Sequence, residues 1–299
     1  MSAGTPLPGT PAPMHRWPGG DGLRLAGDAW GDLGAPLVLL LHGVGQTRHA
    51  WRATGQLLAD AGYRAAAFDA RGHGDSDWAA DGDYSRDAMI RDLRCVIATL
   101  ARRPALVGAS MGGATSLVGV GEGGIDASAL ILVDIAPRTE RDGVARVRSF
   151  MSTTSDGFGS LEEAAAAIDA YRPRPLTPQR LQGLAKNLRQ GTDGRYRWHW
   201  DPRLTARPRE SDERRVEAAR RLALPTLLVR GGRSDVVSED GAREFLTACP
   251  RAEYLNIASA GHMVTGDRND AFGRAALAFL RRAVPAQAPP VPPSTRRPR

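Results

Sequence analysis

The residues whose types and spacing are best suited to catalysis are residues 108–112, which read Gly-Ala-Ser-Met-Gly. They follow the apolar run 105–107 and precede a helical pattern. A serine at a sharp turn from a strand into a helix projects its hydroxyl above the sheet, and small neighbours permit the tight backbone. The helix N-terminus favours negative charge that develops there. This context predicts that Ser110 is a nucleophile, in preference to a chance Gly-x-Ser-x-Gly match in a chain with 34 glycines.

A serine nucleophile needs a base, and the base needs a carboxylate that fixes its tautomer. Of the six histidines, His262 lies between the last predicted strand and the last predicted helix. That position is the carboxyl end of a parallel sheet, where open α/β folds build their sites. We predict His262 as the base and Asp235, which follows the predicted strand 226–230, as the acid. The order Ser, Asp, His supports this choice. Asp134, at the end of another predicted strand, is the alternative acid.

The elements that must position these residues are short apolar runs alternating with helical patterns. The predicted strands are 24–29, 37–41, 64–68, 105–107, 130–133, 226–230 and 252–257. The predicted helices are 51–61, 85–101, 111–120, 239–248 and 267–283. Several strand candidates are continuous Leu/Val/Ile runs, which is typical of strands covered on both faces. The fold class is therefore α/β, with a mostly parallel, doubly wound sheet of about eight strands and helices on both faces.

The alternation of predicted strands and helices is interrupted from residue 136 to residue 222, where helical spacing continues without a convincing strand. We predict a helical cap over residues 136–222, inserted between two parts of the core, 14–135 and 223–283. The Pro-rich segments 1–13 and 284–299 are predicted to be disordered tails.

Composition limits the classes of partner. The formal net charge is +7, but there is a single lysine, Lys186, and the arginines are scattered through the chain. A dispersed charge predicts a solvated surface and no nucleic acid partner. The two cysteines, Cys95 and Cys249, lie far apart and are predicted to be free thiols on helices. The longest apolar run is far too short for a membrane span, and residues 1–13 do not resemble a secretory signal, so we predict a cytoplasmic protein that does not bind membranes. The oligomeric state is open.

Several motifs together resemble the α/β-hydrolase superfamily, over roughly residues 14–283. They are His42-Gly43, residues 69–76 reading Asp-Ala-Arg-Gly-His-Gly-Asp-Ser, the Ser110 turn, the Asp235 loop and residues 260–262. Within the serine branch, the turn is similar to that of cofactor-free haloperoxidase-like esterases and carbon–carbon bond hydrolases. The resemblance implies an oxyanion hole formed by the backbone N–H groups of Val44 and Met111. It also implies that His42, Asp69 and Arg71 shape loops. A serine in place of a nucleophilic aspartate argues against epoxide hydrolases and haloalkane dehalogenases.

The predicted function is hydrolysis of a small ester-like carbonyl substrate, of carboxylesterase or lactonase type, with no metal and no organic cofactor. Peroxide in place of water, or cleavage of a carbon–carbon bond, would use the same triad. A ligand receptor that keeps the fold without turnover is the alternative of another class. Trp198, Val236 and Met263 are possible residues of the substrate pocket. Trp198 and Trp200 share one parity, so they either form a pocket wall or pack in the cap's own core.

Overall fold

Strand β4, Leu37–Leu41, consists of five consecutive apolar residues, and all of them are buried. In the computed structural model, which describes residues 3–154, 156–171, 183–206, 210–264 and 269–286, successive side chains of β4 enter two different cores. Leu39 packs in one core and Leu40 in the other. Both faces of a parallel sheet are covered by helices, which explains the continuous apolar run.

The main sheet has eight strands, in the order β11-β10-β7-β6-β4-β5-β3-β2. Its strands are β2 His15–Pro18, β3 Arg24–Trp30, β4, β5 Arg64–Phe68, β6 Ala105–Ala109, β7 Ala129–Val133, β10 Thr226–Gly231 and β11 Glu253–Ile257. The six strands from β11 to β5 pair in parallel, while β3 and β2 are antiparallel. The predicted sheet class is confirmed. The strand that the sequence did not predict is the edge strand β2, which is mostly exposed and ends in a proline.

Helices cover both faces of this sheet. These helices are α1 Arg52–Asp60, α2 Arg86–Leu100, α3 Met111–Gly121, α6 Asp212–Arg220, α7 Glu239–Ala248 and α8 Asn269–Ala283, while α4 Arg141–Thr153 and α5 Leu161–Tyr171 belong to the cap. Apolar residues of α2, α3, α6 and α7 share one core with the sheet. Those of α1 and α8 share the other. Both cysteines are free; Cys95 lies on α2 and Cys249 directly after α7. No helix in the described ranges is long and apolar enough to span a membrane.

The cap contains strands as well as helices, which corrects the prediction of a purely helical insertion. Strands β8 Leu188–Gln190 and β9 Tyr196–Trp198 form an antiparallel pair. Three residues each are too short to produce a recognisable alternation. At the other end of the predicted cap, α6 packs against the core: a Cβ on Gly121 of α3 would lie 2.3 Å from the carbonyl oxygen of Ala218. The cap therefore ends before α6.

The N-terminal segment is also corrected, because residues 3–13 are not a disordered tail. Strand β1, Thr5–Pro6, pairs with β8 and completes a three-stranded cap sheet. The carbonyl of Pro11 accepts a hydrogen bond from Arg48 at 3.0 Å. At the C-terminus, Val284 accepts a hydrogen bond from Tyr63 at 3.0 Å and packs on the core. The rest of the predicted C-terminal tail, 287–299, lies outside the described residues.

Candidate active site

Ser110 occupies a strained turn between β6 and α3. Its backbone has φ 45° and ψ −108°, which is uncommon for a residue with a side chain. The surrounding backbone holds it in place: its N–H donates to the carbonyl of Val133 at 3.0 Å. A Cβ on Gly108 would lie 2.5 Å from the backbone of Gly113, so only glycine permits this approach. The geometry is that of a nucleophile elbow, and it places Ser110 at the carboxyl end of β6.

His262 pairs with Asp134. The Nδ1 atom of His262 lies 2.7 Å from Oδ2 of Asp134, whose side chain is completely buried. The same carboxylate accepts the N–H of Gly231 at 2.8 Å and the hydroxyl of Ser234. Because a carboxylate can only accept, the Nδ1 of His262 carries the proton and its Nε2 is left as the basic atom. The ring lines the same cavity as Ser110.

The prediction that Asp235 pairs with His262 is wrong. Its carboxylate forms an ion pair with Arg146 of helix α4, and its side chain is 39% exposed. The reason is its distance from the strand. Strand β10 ends at Gly231, and the intervening turn directs Ser234 toward Asp134 and leaves Asp235 pointing outward to the cap. Asp134, the alternative, follows β7 directly and faces the histidine.

The two predicted oxyanion donors lie at the start of α3 and on the loop that follows β4, beside Ser110. Met111 is the first residue of α3, so its N–H has no acceptor within the helix. Gly43, which precedes Val44, approaches Ser110 so closely that a Cβ there would lie 3.4 Å from the serine Cβ. The carbonyl of His42 accepts the N–H of Gly112 at 3.2 Å and holds the loop against the first turn of α3. Val44, Ser110 and Met111 line one common chamber.

Three buried histidines support the Val44 loop. The Nε2 of His42 accepts the N–H of Ala70 at 2.9 Å, and the Nε2 of His73 accepts the N–H of Gly45 at 3.2 Å. His199, from the cap, accepts the N–H of Gly74 at 2.8 Å through Nδ1. A ring nitrogen that accepts is unprotonated, so these rings are neutral. Burial lowers the pKa of His42 and of His199, which also favours the neutral form of both rings. These contacts are those of loop-shaping residues.

Asp69 and Arg71 also brace loops. Asp69 accepts the N–H of Arg48 at 2.6 Å and the N–H of Asp75 at 2.9 Å. Arg71 forms a two-nitrogen contact with the carboxylate of Asp92, at 2.6 and 2.8 Å. Both side chains are buried, and neither lines a cavity that Ser110 lines, in agreement with what the resemblance implied.

The cavity above Ser110 has two chambers, and Ser110 and His262 line both. The large chamber has a volume of about 390 Å³. Its cap-side wall is largely apolar, with Val147, Phe150, Met151, Ile168, Tyr171, Trp198 and Trp200, and it also includes Gly183, Lys186 and Asn187. The small chamber has a volume of about 130 Å³ and extends beneath the cap helix α4 toward α2 and α6.

The three predicted pocket residues all line this cavity. Trp198 and Met263 line the large chamber, and Val236 lines the small one. Trp198 and Trp200 stack at 5.0 Å between ring centroids with 11° between their planes. Both also pack in the cap's apolar cluster, so they serve as cap core and pocket wall at once.

Sequence reasoning did not single out two groups around the site. Ser234, whose hydroxyl donates to Asp134, lies in a turn that drew attention only for its aspartate. Arg86 and Arg148 line the small chamber, and no sequence pattern distinguishes them from the many other arginines. Within the described residues, no group of three or more His, Cys, Asp or Glu side chains is arranged to hold a metal ion.

Comparison with known proteins agrees with this architecture. A family model described as "alpha/beta hydrolase fold" matches residues 36–268. The 3-hydroxybutyrate-oligomer hydrolase of Cupriavidus necator is 28% identical over 279 residues, covering 86% of this chain and 90% of that protein. The non-heme chloroperoxidase CPO-A1 of Kitasatospora aureofaciens is 30% identical over 294 residues, covering 87% and 97%. The crystal structure of the esterase Rv0045c of Mycobacterium tuberculosis superimposes with a TM-score of 0.72 at 25% identity, covering 92% of each chain.

Proposed function

We propose, since the chain belongs to the α/β-hydrolase family, that it is a serine hydrolase that cleaves a small ester-like carbonyl substrate through an acyl-enzyme. Ser110 is the nucleophile, His262 the base and Asp134 the acid. The observation that carries the proposal is that His262, paired at 2.7 Å with the buried carboxylate of Asp134, lines the same cavity as Ser110. The similarity to an esterase and to an oligomer hydrolase supports ester cleavage.

The reaction then has two halves. The Ser110 oxygen attacks the ester carbonyl while Nε2 of His262 takes the hydroxyl proton, and the imidazolium is stabilised by Asp134. His262 returns the proton to the departing alcohol oxygen as the ester C–O bond breaks. A water molecule, deprotonated by His262, attacks the acyl-enzyme, and His262 returns that proton to the Ser110 oxygen as the acyl–oxygen bond breaks and the acid leaves.

The backbone N–H groups of Val44 and Met111 stabilise the negative charge on the tetrahedral oxygen. Each donor of this kind contributes about 3–4 kcal/mol to the transition state. The Met111 N–H gains further from the dipole of α3, because it lies at the positive end of that helix.

The large chamber supports a small substrate. Its 390 Å³ is near the lower end of the volumes of about 300–1,000 Å³ that enclose small ligands. The apolar wall formed by Trp198, Trp200 and Phe150 is suited to an acyl chain. The dispersed arginines favour a small molecule over a nucleic acid as partner. The proposed location is the cytoplasm.

Peroxide in place of water is the second candidate. The relative that favours it is the non-heme chloroperoxidase, which matches most of this chain. Attack of hydrogen peroxide on the same acyl-enzyme would release a peracid, with the same proton transfers through His262. The same triad serves water and hydrogen peroxide equally, so the two reactions are distinguished by whether the acyl-enzyme releases an acid or a peracid.

The test is hydrolysis of p-nitrophenyl butyrate by the wild type, Ser110→Ala, His262→Ala and the double variant. Each single change should remove nearly all turnover, and the double variant should be hardly worse, because the triad acts as a unit. Ser116→Ala is the matched control: this serine lies on the same helix α3, lines neither chamber, and its hydroxyl donates to Gly112. A single variant that keeps more than about a tenth of kcat contradicts the assignment. A wild type without turnover of any short ester favours the receptor alternative.

A further inference from the structure

The large chamber has a group of polar side chains that the proposed triad does not use. They come from the segment after β4 and from the turn before β8, and they are Gln46, Thr47, His49, Lys186 and Asn187. Of the described residues that line this chamber, none is Asp, Glu or Arg, and Lys186 is the one lysine. The chamber therefore has one lysine ammonium in its wall and no carboxylate.

The turn that carries Lys186 is held in place by its backbone. The N–H of Asn187 donates to the carbonyl of Leu184 at 2.8 Å, and the carbonyl of Asn187 accepts the N–H of His199 at 3.1 Å. The carbonyl of Lys186 accepts a hydrogen bond from Arg189 at 3.2 Å. Because the turn is anchored to both strands of the cap sheet that flank the chamber, its two side chains extend from a fixed backbone.

The ammonium group of Lys186 has no counter-charge in the part of the chain that the structure describes, where it forms neither an ion pair nor a hydrogen bond. Asp28, which His49 approaches at 4.0 Å, is already ion-paired with Arg48 at 3.1 Å. Burial lowers the pKa of His49, and the positive charges of Arg48 and Lys186 act in the same direction, so the ring is neutral. Lys186 is therefore the cation of this polar group, and an anion in the chamber would pair with it.

The neighbours of Lys186 in the chamber wall offer further hydrogen bonds. The amide oxygen of Gln46 accepts the N–H of Gly43 at 2.9 Å, which leaves its NH₂ group as a donor. Thr47 precedes the short helix 48–51, but its hydroxyl does not cap that helix. Neither this hydroxyl nor the side-chain amide of Asn187 has a hydrogen-bond partner among the described residues. A group that accepts several hydrogen bonds suits this wall better than a methyl group.

The polar group adjoins the apolar wall of the same chamber. Leu188, which follows Asn187, pairs with Trp198 in the cap sheet, and Trp198 lines the chamber. A molecule in the chamber therefore meets an aromatic surface as well as a cation. One ammonium matches the single charge of a carboxylate, whereas a phosphate group would bring additional charge without a partner.

We infer that Lys186 binds a carboxylate carried by the acyl chain of the substrate, beyond an apolar segment that lies against the aromatic wall. Gln46, Thr47 and Asn187 supply the neutral hydrogen bonds. The preferred substrates are then monoesters of medium-length dicarboxylic acids. This inference rests on the proposed ester hydrolysis and names the substrate class of the same site.

The experiment compares esters that have the same leaving group and acyl length and differ in one charge. Mono-p-nitrophenyl adipate is paired with p-nitrophenyl hexanoate, and mono-p-nitrophenyl suberate with p-nitrophenyl octanoate. In at least one pair the wild type should have a kcat/KM about tenfold higher for the charged ester, the size of one charge-assisted hydrogen bond. Lys186→Met should abolish this preference, mainly through KM for the charged ester, and Lys186→Glu should reverse it.

Arg141→Gln is the matched control, because it removes an exposed positive charge from the cap helix α4 and lines neither chamber. It should leave the preference unchanged. If it lowers the preference as much as Lys186→Met does, the preference comes from long-range attraction by a basic protein and the inference fails. A preference that survives in Lys186→Met also overturns the inference.

A binding measurement separates this inference from the chemistry. In calorimetry, Ser110→Ala protein should bind the monomethyl ester of the preferred diacid about tenfold more tightly than its dimethyl ester, and adding Lys186→Met should remove the difference. If the neutral esters are hydrolysed and the charged ones are not preferred, the inference fails and the proposed function stands. If no ester is hydrolysed, the proposed function fails, and the same comparison with adipate and suberate esters then decides whether Lys186 binds a carboxylate: equal affinities for the monomethyl and dimethyl esters exclude it.

Discussion

Strands β7 and β10 are parallel neighbours whose carboxyl ends lie side by side, and an aspartate follows each of them. Asp134 directly follows β7; its side chain is completely buried and accepts hydrogen bonds from a histidine, a serine and a backbone N–H. Asp235 lies four residues beyond β10 and is paired with one exposed arginine of the cap. Two carboxylates that look equivalent in the sequence therefore belong to different parts of the molecule, one to the site and one to the attachment of the cap.

The contrast teaches that distance from the strand end determines the direction of a side chain. The backbone of Asp134 is still held by the sheet, because its N–H donates to the carbonyl of Val229 at 2.7 Å. Its positive φ, 48°, turns the carboxylate over the neighbouring strand toward His262. Asp235 has left the sheet, and its direction is determined by the turn that Ser234 closes with the N–H groups of Val236 and Val237.

The largest effect that would test this contrast is on kcat. Asp134→Asn should lower kcat by about 10³–10⁴-fold with little change in shape, because an amide permits the wrong tautomer of His262 and does not stabilise the imidazolium. The measurement is kcat at neutral pH on protein whose fold is checked by circular dichroism. Asp235→Asn is the matched control and should keep nearly full kcat. A folded Asp134→Asn variant within tenfold of the wild type would exclude Asp134 as the acid.

A smaller effect concerns Ser234, which links the two strand ends as a positioning residue. Its hydroxyl donates to Asp134, and its oxygen accepts the N–H groups of Val236 and Val237, each at 3.1 Å. Ser234→Ala removes one donor from the Asp134 carboxylate, which then stabilises the imidazolium more strongly. We expect kcat to fall by roughly threefold to tenfold as the loop loosens, and the acidic limb of the kcat/KM profile to move to higher pH.

The pH profile distinguishes this role from a merely structural one. Ser238→Ala provides the control, because Ser238 caps helix α7 through the N–H of Gly241 and does not contact Asp134. It should lower the melting temperature without shifting the acidic limb. An unshifted limb in Ser234→Ala would show that the hydroxyl does not act through the carboxylate.

Local signals in the sequence predicted much of this molecule. The bounds of each of the seven predicted strands lie within one or two residues of those of an observed strand, because most of them are apolar runs bounded by turn residues. We predicted Ser110 and His262 as nucleophile and base from their small neighbours and from their positions after strands. These signals are short in range, and they do not depend on how the loops fold.

The rest depends on contacts between distant parts of the chain. The choice between Asp134 and Asp235 is determined by a hydrogen bond across 128 positions, which no local pattern encodes. The short strand β1 exists because residues 5–6 meet β8 in the cap, so a Pro-rich segment that resembled a tail is part of a sheet. The arginines of the small chamber are brought together from α2, α4 and α6, and composition alone cannot distinguish them from surface arginines.

The smallest expected effect is at Asp235 itself. Its ion pair with Arg146 is exposed on both sides, at 39% and 57%, and exposed pairs contribute about 0–1 kcal/mol. Asp235→Asn should therefore leave kcat within about twofold and lower the melting temperature by no more than about 3 °C. Because α4 carries Val147 and Phe150 of the large chamber, a slightly looser cap should appear as a KM increase of at most about threefold.

Arg146→Gln should reproduce these changes, and the double variant should be no worse than either single one, since both remove the same contact. A loss of more than about a hundredfold in kcat for Asp235→Asn alone, with Arg146→Gln unaffected, would return the role of the acid to Asp235 and make the contact with Arg146 a secondary one.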